Sequence, residues 1–467
     1  MFKNALLLVT VILIFSNSVY TATPFCDSSN KIFLKATLEP QDGRISGYAR
    51  VLYKNNTALP QNRIYIRLFL NQFRNSKALL STGLVTEKEL GSLFSGPADW
   101  GRIEVKKVVV QGTDMTNALQ MESDQNTNLT PGSWAFLDLL SPLPPDQDIT
   151  IKVDFTTQLP ASLFGNDFEH QVFVAAFWYP QLCSAADFQN QKQSPLSIWQ
   201  NYAGYDVEFV VPKDYTIAAS AIKTDSAIVD DQLHYRFKDP CLREMAVVTS
   251  PNLRAEESVF QYEDMPPVTI RLIYVDALKK DNSAIFKALE NLLKYYGLWY
   301  APYPKSTFSV VHLPHSTALA PTAFPGLGII GSASQERFGQ ESLIPRVILH
   351  GGLYYWQQLI SLHFRDAGWI EESLNLYSQT RLLIAAYGYL PYTKTYLDFQ
   401  NVAINWKQHS VPVDPRDRLM AELDHIVELS DEGKITFYEK NRRRNIIKSA
   451  LLFWTLENLV GDPAFSI

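Results

Sequence analysis

Residues 347–356 read VILHGGLYYW. An apolar run leads into a histidine, then two adjacent glycines, then aromatic residues. The stretch reads as part of a helix over residues 345–363. Gly351 and Gly352 sit badly there, because a glycine in a helix interior costs about 1 kcal/mol relative to alanine. The close approach of another backbone is one reason to keep such a pair. His350 by itself reads as an ordinary hydrogen-bonded core histidine, so any further role has to be read from its surroundings.

Downstream, residues 369–388 and 445–460 read as two more helices. Upstream, Ser283 is placed to cap a helix with an apolar face of Ile285, Phe286, Leu289, Leu292, Leu293 and Tyr296, ended by Gly297. STFSVVHLP (306–314) is a strand, and TAFPGLGIIGSAS (322–334) is an extended, glycine-punctuated edge. From about residue 30 to 255 the pattern differs. Segments such as KIFLKATLEP (31–40), RISGYARVLYKN (44–55), DITIKVDFTTQLP (148–160) and YDVEFVVPKDYTIAAS (205–220) alternate apolar and polar residues between turn formers. They predict strands. Pro266 and Pro267 mark the expected boundary, beyond which the period becomes helical. The expected fold class is therefore α+β and multidomain. An all-β, sandwich-like N-terminal domain spans residues 23–258, and an α/β domain follows over 259–467. There is no internal repeat and no low-complexity linker.

With 467 residues, of which 46% are apolar and 12% aromatic, the chain can bury sizeable cores. A net charge of -6 argues against a general nucleic-acid binder. Lys3 and the apolar run Ala5–Phe15 predict a signal peptide over residues 1–22, hence a secreted or periplasmic protein. No other stretch reaches membrane-spanning length, so no stable span is expected after its removal. Cys183 and Cys241 can pair in an oxidising compartment, leaving Cys26 near the mature N-terminus. Unpaired, partly buried thiols are the equal alternative. NNT at 55 and NLT at 128 are glycan acceptors only in a eukaryotic secretory pathway.

Zinc peptidases of the H-E-x-x-H type need two histidines one helical turn apart, so that both imidazoles reach one ion. The intervening glutamate takes a proton from the metal-bound water, and a carboxylate from a following helix completes the ligand set. HGGLY at 350–354 lacks that motif. Yet HGGLYYW followed by DAGWIEESLNLY (366–377) resembles the membrane-alanyl-aminopeptidase family of zinc metallopeptidases (gluzincins). In that family H-E-x-x-H-x-W precedes W-L-N-E-G-F-A-x-Y. Trp356 falls on the first tryptophan, and Trp369, Glu372, Leu374 and Tyr377 on the W, E, F and Y positions. YYGLWYAPYPKSTFSVVHLP (295–314) is similar to the family's Pro-Tyr-Pro-Lys turn into a strand. APTAFPGLGII (320–330) resembles its G-x-M-E-N-P-G-L segment, and IIKSALLFWTLENLVGDPAF (446–465) its Y-x-K-G-A helix. These segments occur in family order over nearly the whole mature chain.

The resemblance implies roles position by position. His350 keeps a zinc-ligand position and Glu372 the third-ligand position. Tyr354 replaces the second histidine, and Gly351 the general base. Ala323 stands where a glutamate grips the substrate amine, with Phe324 at the neighbouring asparagine position. Ile446 falls on the oxyanion-stabilising tyrosine, with Tyr438 two turns earlier. The implied cleft is lined by Ala323, Phe324, Pro325, Gly326, Tyr354 and Tyr355, and core packing is the competing reading for Tyr355 and Trp356. The implied second domain is thermolysin-like, incomplete at its C-terminus. His350 and Glu372 are expected to face one another as a vestigial metal site. The expectation is an exported pseudopeptidase with a peptide or protein ligand and no cofactor. The alternative is a metal-dependent aminopeptidase acting on peptide N-termini, its zinc completed by His363, His312 or His315. A third reading is an assembly module docking through KNRRRN at 440–445. If the positions map as stated, Gly351→Glu with Tyr354→His is expected to raise zinc affinity, measured by metal titration.

Overall fold

The structure is a computed structural model. It describes residues 30–81, 90, 100–122, 130–161, 165–185, 187–189, 202–276, 282–313, 323–324, 327–331, 343–360, 368–387, 419–420 and 437–461. The expected signal peptide at 1–22 lies outside these residues, as do Cys26 and the NLT asparagine at 128. No helix among the described residues is long and apolar enough to cross a membrane. The fold is mixed α/β and rich in strands, which form four sheets.

The eight-stranded sheet is built on Asn30–Glu39, which pairs antiparallel with Arg44–Lys54 and parallel with Ala203–Pro212. Its inner strands alternate as the sequence does. Leu34, Ala36 and Leu38 point into the core while Lys35 is exposed. Arg44–Lys54 pairs in turn with Asp148–Gln158, which places Gly47 opposite Phe155. A Cβ on Gly47 would lie 2.3 Å from the Phe155 ring, so only glycine lets that ring lie across the strand. A four-stranded and a three-stranded sheet pack with this one around Phe155, Trp178 and Phe209. Burying each such large apolar side chain contributes about 1.5–3 kcal/mol. These three sheets are called here the three-sheet body.

The last sheet has five strands, ordered Leu253–Phe260, Val268–Val275, Thr307–Leu313, Leu327–Gly331 and Ala323–Phe324. Its three middle strands run parallel, and its two edge pairs are antiparallel. Parallel strands are buried on both faces, and LIYV at 272–275 reads as a continuous apolar run accordingly. After the short α1 (Ser76–Ser81), the helices are α2 (Ser283–Trp299), α3 (Leu343–Leu359), α4 (Gly368–Tyr387) and α5 (Phe437–Val460). Helix α2 makes the crossover between two parallel strands. It packs with α3 and strands of the five-stranded sheet in a second apolar cluster, and α4 and α5 share a smaller third one.

Four expectations need correction. The boundary expected at 258/259 cuts through the strand Leu253–Phe260, which pairs with Val268–Val275 along its whole length. Pro266 therefore belongs to the turn of a hairpin within one sheet, as does Pro267. Gly297 does not end α2. It lies inside the helix, where a Cβ would meet the Met265 sulfur at 2.8 Å. The residue preceding α2 is Asn282, not Ser283. Cys183 is a free, buried thiol while Cys241 is disulfide-bonded, so the two do not pair with each other.

The NNT asparagine is also not available as a glycan acceptor. Asn55 is fully buried, and its amide donates to the Leu59 and Leu143 carbonyls at 2.9 Å each. Its side-chain oxygen accepts from the Thr57 backbone N–H at 3.0 Å. Asn55→Ala leaves those carbonyls without this donor and is expected to lower stability by about 1–3 kcal/mol in urea unfolding. Mass spectrometry after expression in a glycosylating host is expected to find Asn55 unmodified.

Candidate functional site

Helix α3 carries the residues that the sequence singled out, and α2 and α4 hold it on two sides. The Asn375 amide on α4 donates to the Leu349 carbonyl on α3 at 2.8 Å. His350 is the next residue after Leu349, and Glu372 lies three residues before Asn375, on the same side of α4. Both therefore flank one helix–helix contact, and both are half-buried.

The two glycines have separate causes. A Cβ at Gly352 would sit 2.3 Å from the Asn375 side-chain oxygen and 2.7 Å from the Tyr296 hydroxyl. Those neighbours cross the helix where any side chain would stand. A Cβ at Gly351 would meet Leu292 and Leu289 of α2 at 3.2 and 3.3 Å, and Phe308 at 3.6 Å. The position implied for a general base thus faces apolar packing. This removes the basis for expecting Gly351→Glu to help bind zinc.

Tyr354 and Tyr355, expected to line a cleft, are buried instead, with relative exposures of 1% and 0%. The Tyr303 hydroxyl donates to the Tyr354 hydroxyl at 2.6 Å, and the Tyr354 ring stands 4.7 Å from Phe308. The Tyr355 hydroxyl donates to the Ala301 carbonyl. Trp356 packs 4.7 Å from the Tyr300 ring. Burial pushes the Tyr354 phenol far above its usual value, and the bond with Tyr303 offsets only part of that. A phenol held protonated is a poor zinc ligand. His350, Glu372 and a protonated Tyr354 do not fit the three-donor set of a catalytic zinc. Among the described residues no group of three or more His, Cys, Asp or Glu side chains is placed to hold a metal ion.

Ala323 and Phe324 form an edge strand of the five-stranded sheet, pairing with Gly328 and Leu327, and α3 packs against that edge. Pro325, Gly326, His315 and His363 lie outside the described residues. His312 is buried on Thr307–Leu313. Ile446 is fully buried among Leu376, Tyr377, Ile447 and Ala450, so its position points into the α4–α5 packing. Tyr438 lies on α5, and KNRRRN runs within that helix, with Arg444 half-buried.

One residue escaped the sequence analysis. Glu371, beside the expected ligand Glu372, is 4% exposed and receives the Arg243 guanidinium at 3.0 Å. Burial disfavours the Arg243 charge, but Glu371 and Tyr202 together more than compensate and hold the guanidinium protonated. The paired carboxylates in WIEESLN were the available signal. Nothing in the sequence pointed to Arg243.

Solved structures similar to the chain include zinc metallopeptidases. An M1 zinc metallopeptidase mutant from Deinococcus radiodurans, bound to a Tyr-Ser-Ala substrate, is 14% identical with a TM-score of 0.55. That match covers 94% of this chain and 83% of the other. A two-domain M1 zinc metallopeptidase mutant bound to L-tryptophan is 15% identical with a TM-score of 0.56, covering 94% and 85%. The fold is that of the M1 zinc metallopeptidases. No protein-family model matches the chain, and no curated protein does.

Two outcomes test the packing of α3. Gly352→Ala is expected to lose about 1–3 kcal/mol through overpacking. Gly351→Ala, facing flexible leucine ends, is expected to stay within about 1 kcal/mol of wild type, because alanine favours the helix. Gly351→Glu buries an unpaired carboxylate and is expected to lose more than either. Thermal denaturation of the three variants ranks them.

A second test uses alkaline pH. Burial pushes the Tyr300 phenol up to about 12 and the Tyr354 phenol higher. Their folded values exceed the unfolded value of about 10. Stability from these groups is therefore complete below about pH 10 and falls as the pH rises past it. Near-ultraviolet phenolate absorbance is expected to show a set of tyrosines that titrates only as the chain unfolds.

Proposed function

We propose that the chain is an exported pseudopeptidase: an aminopeptidase-type scaffold that binds a peptide or protein without cutting it. One observation carries this reading. At the position implied for the second zinc histidine stands Tyr354, buried and hydrogen-bonded to Tyr303. A phenol in that state replaces a metal contact by internal packing. The companion positions agree, since Gly351 faces leucines and Ile446 faces the α4–α5 core.

The solved neighbours support peptides as the ligand class, one holding Tyr-Ser-Ala and another L-tryptophan. In this chain Ala323 offers no carboxylate to a free α-amine, so recognition of an N-terminus by that position is lost. Peptides bound through their backbone or apolar side chains suit the edge strand Ala323–Phe324 better.

Metal analysis of purified protein beside an aminoacyl-amide assay tests the proposal. The expected result is less than one zinc per chain and no turnover sensitive to a chelator. Stoichiometric zinc with chelator-sensitive hydrolysis would overturn it in favour of a metal-dependent aminopeptidase with rearranged ligands.

A further inference from the structure

Within the six residues Asp239–Glu244, Asp239 and Arg243 make polar contacts from the three-sheet body to the segments around α2, α3 and α4. They form the end of the strand Gln232–Leu242 and the two residues after it. Asp239 accepts the Lys305 ammonium at 3.0 Å, and Lys305 ends the Pro-Tyr-Pro-Lys turn that leaves α2. The Asp239 side chain also caps its own segment by accepting the Cys241 backbone N–H at 2.8 Å. Cys241 is disulfide-bonded. The two nitrogen arms of Arg243 reach different helices: one donates to Glu371 in the first turn of α4 at 3.0 Å. The other donates to the Ile360 carbonyl just past α3 at 3.4 Å. The guanidinium lies 4.8 Å from the Tyr202 ring centre. Glu244 turns the opposite way. It accepts from the Phe177 backbone N–H at 2.9 Å, the Gln181 amide at 2.7 Å and the Tyr179 hydroxyl at 3.3 Å, all within the three-sheet body.

Neighbouring residues in this segment therefore grip opposite sides of one seam. Phe177 itself is held at φ 52, in the left-handed region, with its N–H on Glu244. Apolar faces tolerate several nearly equivalent dockings. A buried, directional ion pair tolerates one, while adding little net stability over an apolar pair of the same volume. We propose that Asp239–Glu244 is an inter-layer clasp. It fixes the docked position of α3 and α4 on the three-sheet body, and the seam opens locally when the Arg243–Glu371 link is removed. This stands apart from the binding role proposed above, since it concerns docking and not a ligand or metal.

The test uses the full chain carrying Arg243→Met and Glu371→Met together, which removes both charges and strands neither. Backbone amide exchange is followed by mass spectrometry. Exchange at the end of α3 and the first turn of α4 is expected to accelerate by about tenfold or more. Exchange in α5 and in the eight-stranded sheet is expected to match wild type. Glu371→Gln, which keeps a hydrogen-bond acceptor for Arg243, is expected to show a smaller acceleration in the same places. Unchanged exchange at the seam overturns the proposal. Acceleration spread over the whole chain, or a double variant that does not fold, overturns it too, since the pair would then support the fold at large and not its docking.

Discussion

The close meeting of α2, α3 and α4 at Gly351 and Gly352 is the constraint on which the rest of the helical layer depends. Packed helices stand about 8–10 Å apart, a distance set by the side chains at the contact. Here one of those side chains is absent. Asn375 and the Tyr296 hydroxyl occupy the space above Gly352. The Asn375 amide then reaches the Leu349 carbonyl, a backbone group that an ordinary helix interior would keep to itself. The helix penalty of two glycines is offset by this contact and by the apolar fit of Gly351 against Leu289 and Leu292. His350, Tyr354 and Glu372 take their places from that junction.

The same junction sits in a fold shared with sequences that are very different. An M1 metallopeptidase fold at 14–15% identity has been assembled from a largely different set of side chains. Where the resemblance implies polar working groups, this chain has groups that prefer to be buried. Tyr354 shares a hydrogen bond with Tyr303, and Ile446 is packed between α4 and α5. A polar group aimed at a cleft is stabilised by solvent or ligand. Tyr354 is stabilised by its neighbours, the Tyr303 hydroxyl and the Phe308 ring.

Much of the fold was legible because it rests on local periodicity. KIFLKATLEP and RISGYARVLYKN read as strands from their alternation, and the strands found there bury Leu34 and Val51. The apolar stripe of α2 gave Ile285, Leu289, Leu292 and Tyr296 correctly. Errors fell where punctuation was read without its partner. Gly297 looked like a helix stop and is instead a packing gap under Met265. Pro266–Pro267 looked like a boundary and instead belong to a hairpin turn, because the strand before them pairs with the strand after. Glycine and proline have the same local signature whether they end an element or serve a contact.

The order of elements, the helical character of VILHGGLYYW and the likeness to a metallopeptidase scaffold were determined by the sequence alone, since spacing and residue type are local properties. Only the tertiary structure decided what each singled-out side chain faces. Tyr354 and Tyr355 turn into the core because α2 and the Thr307–Leu313 strand lie on that side of α3. Cys183 is a free, buried thiol while Cys241 is disulfide-bonded. Glu371 became the charged partner of Arg243 because the chain brings residues 128 apart in sequence to one seam. Burial and pairing across such distances are properties of how faces meet, and no single segment of the chain contains them.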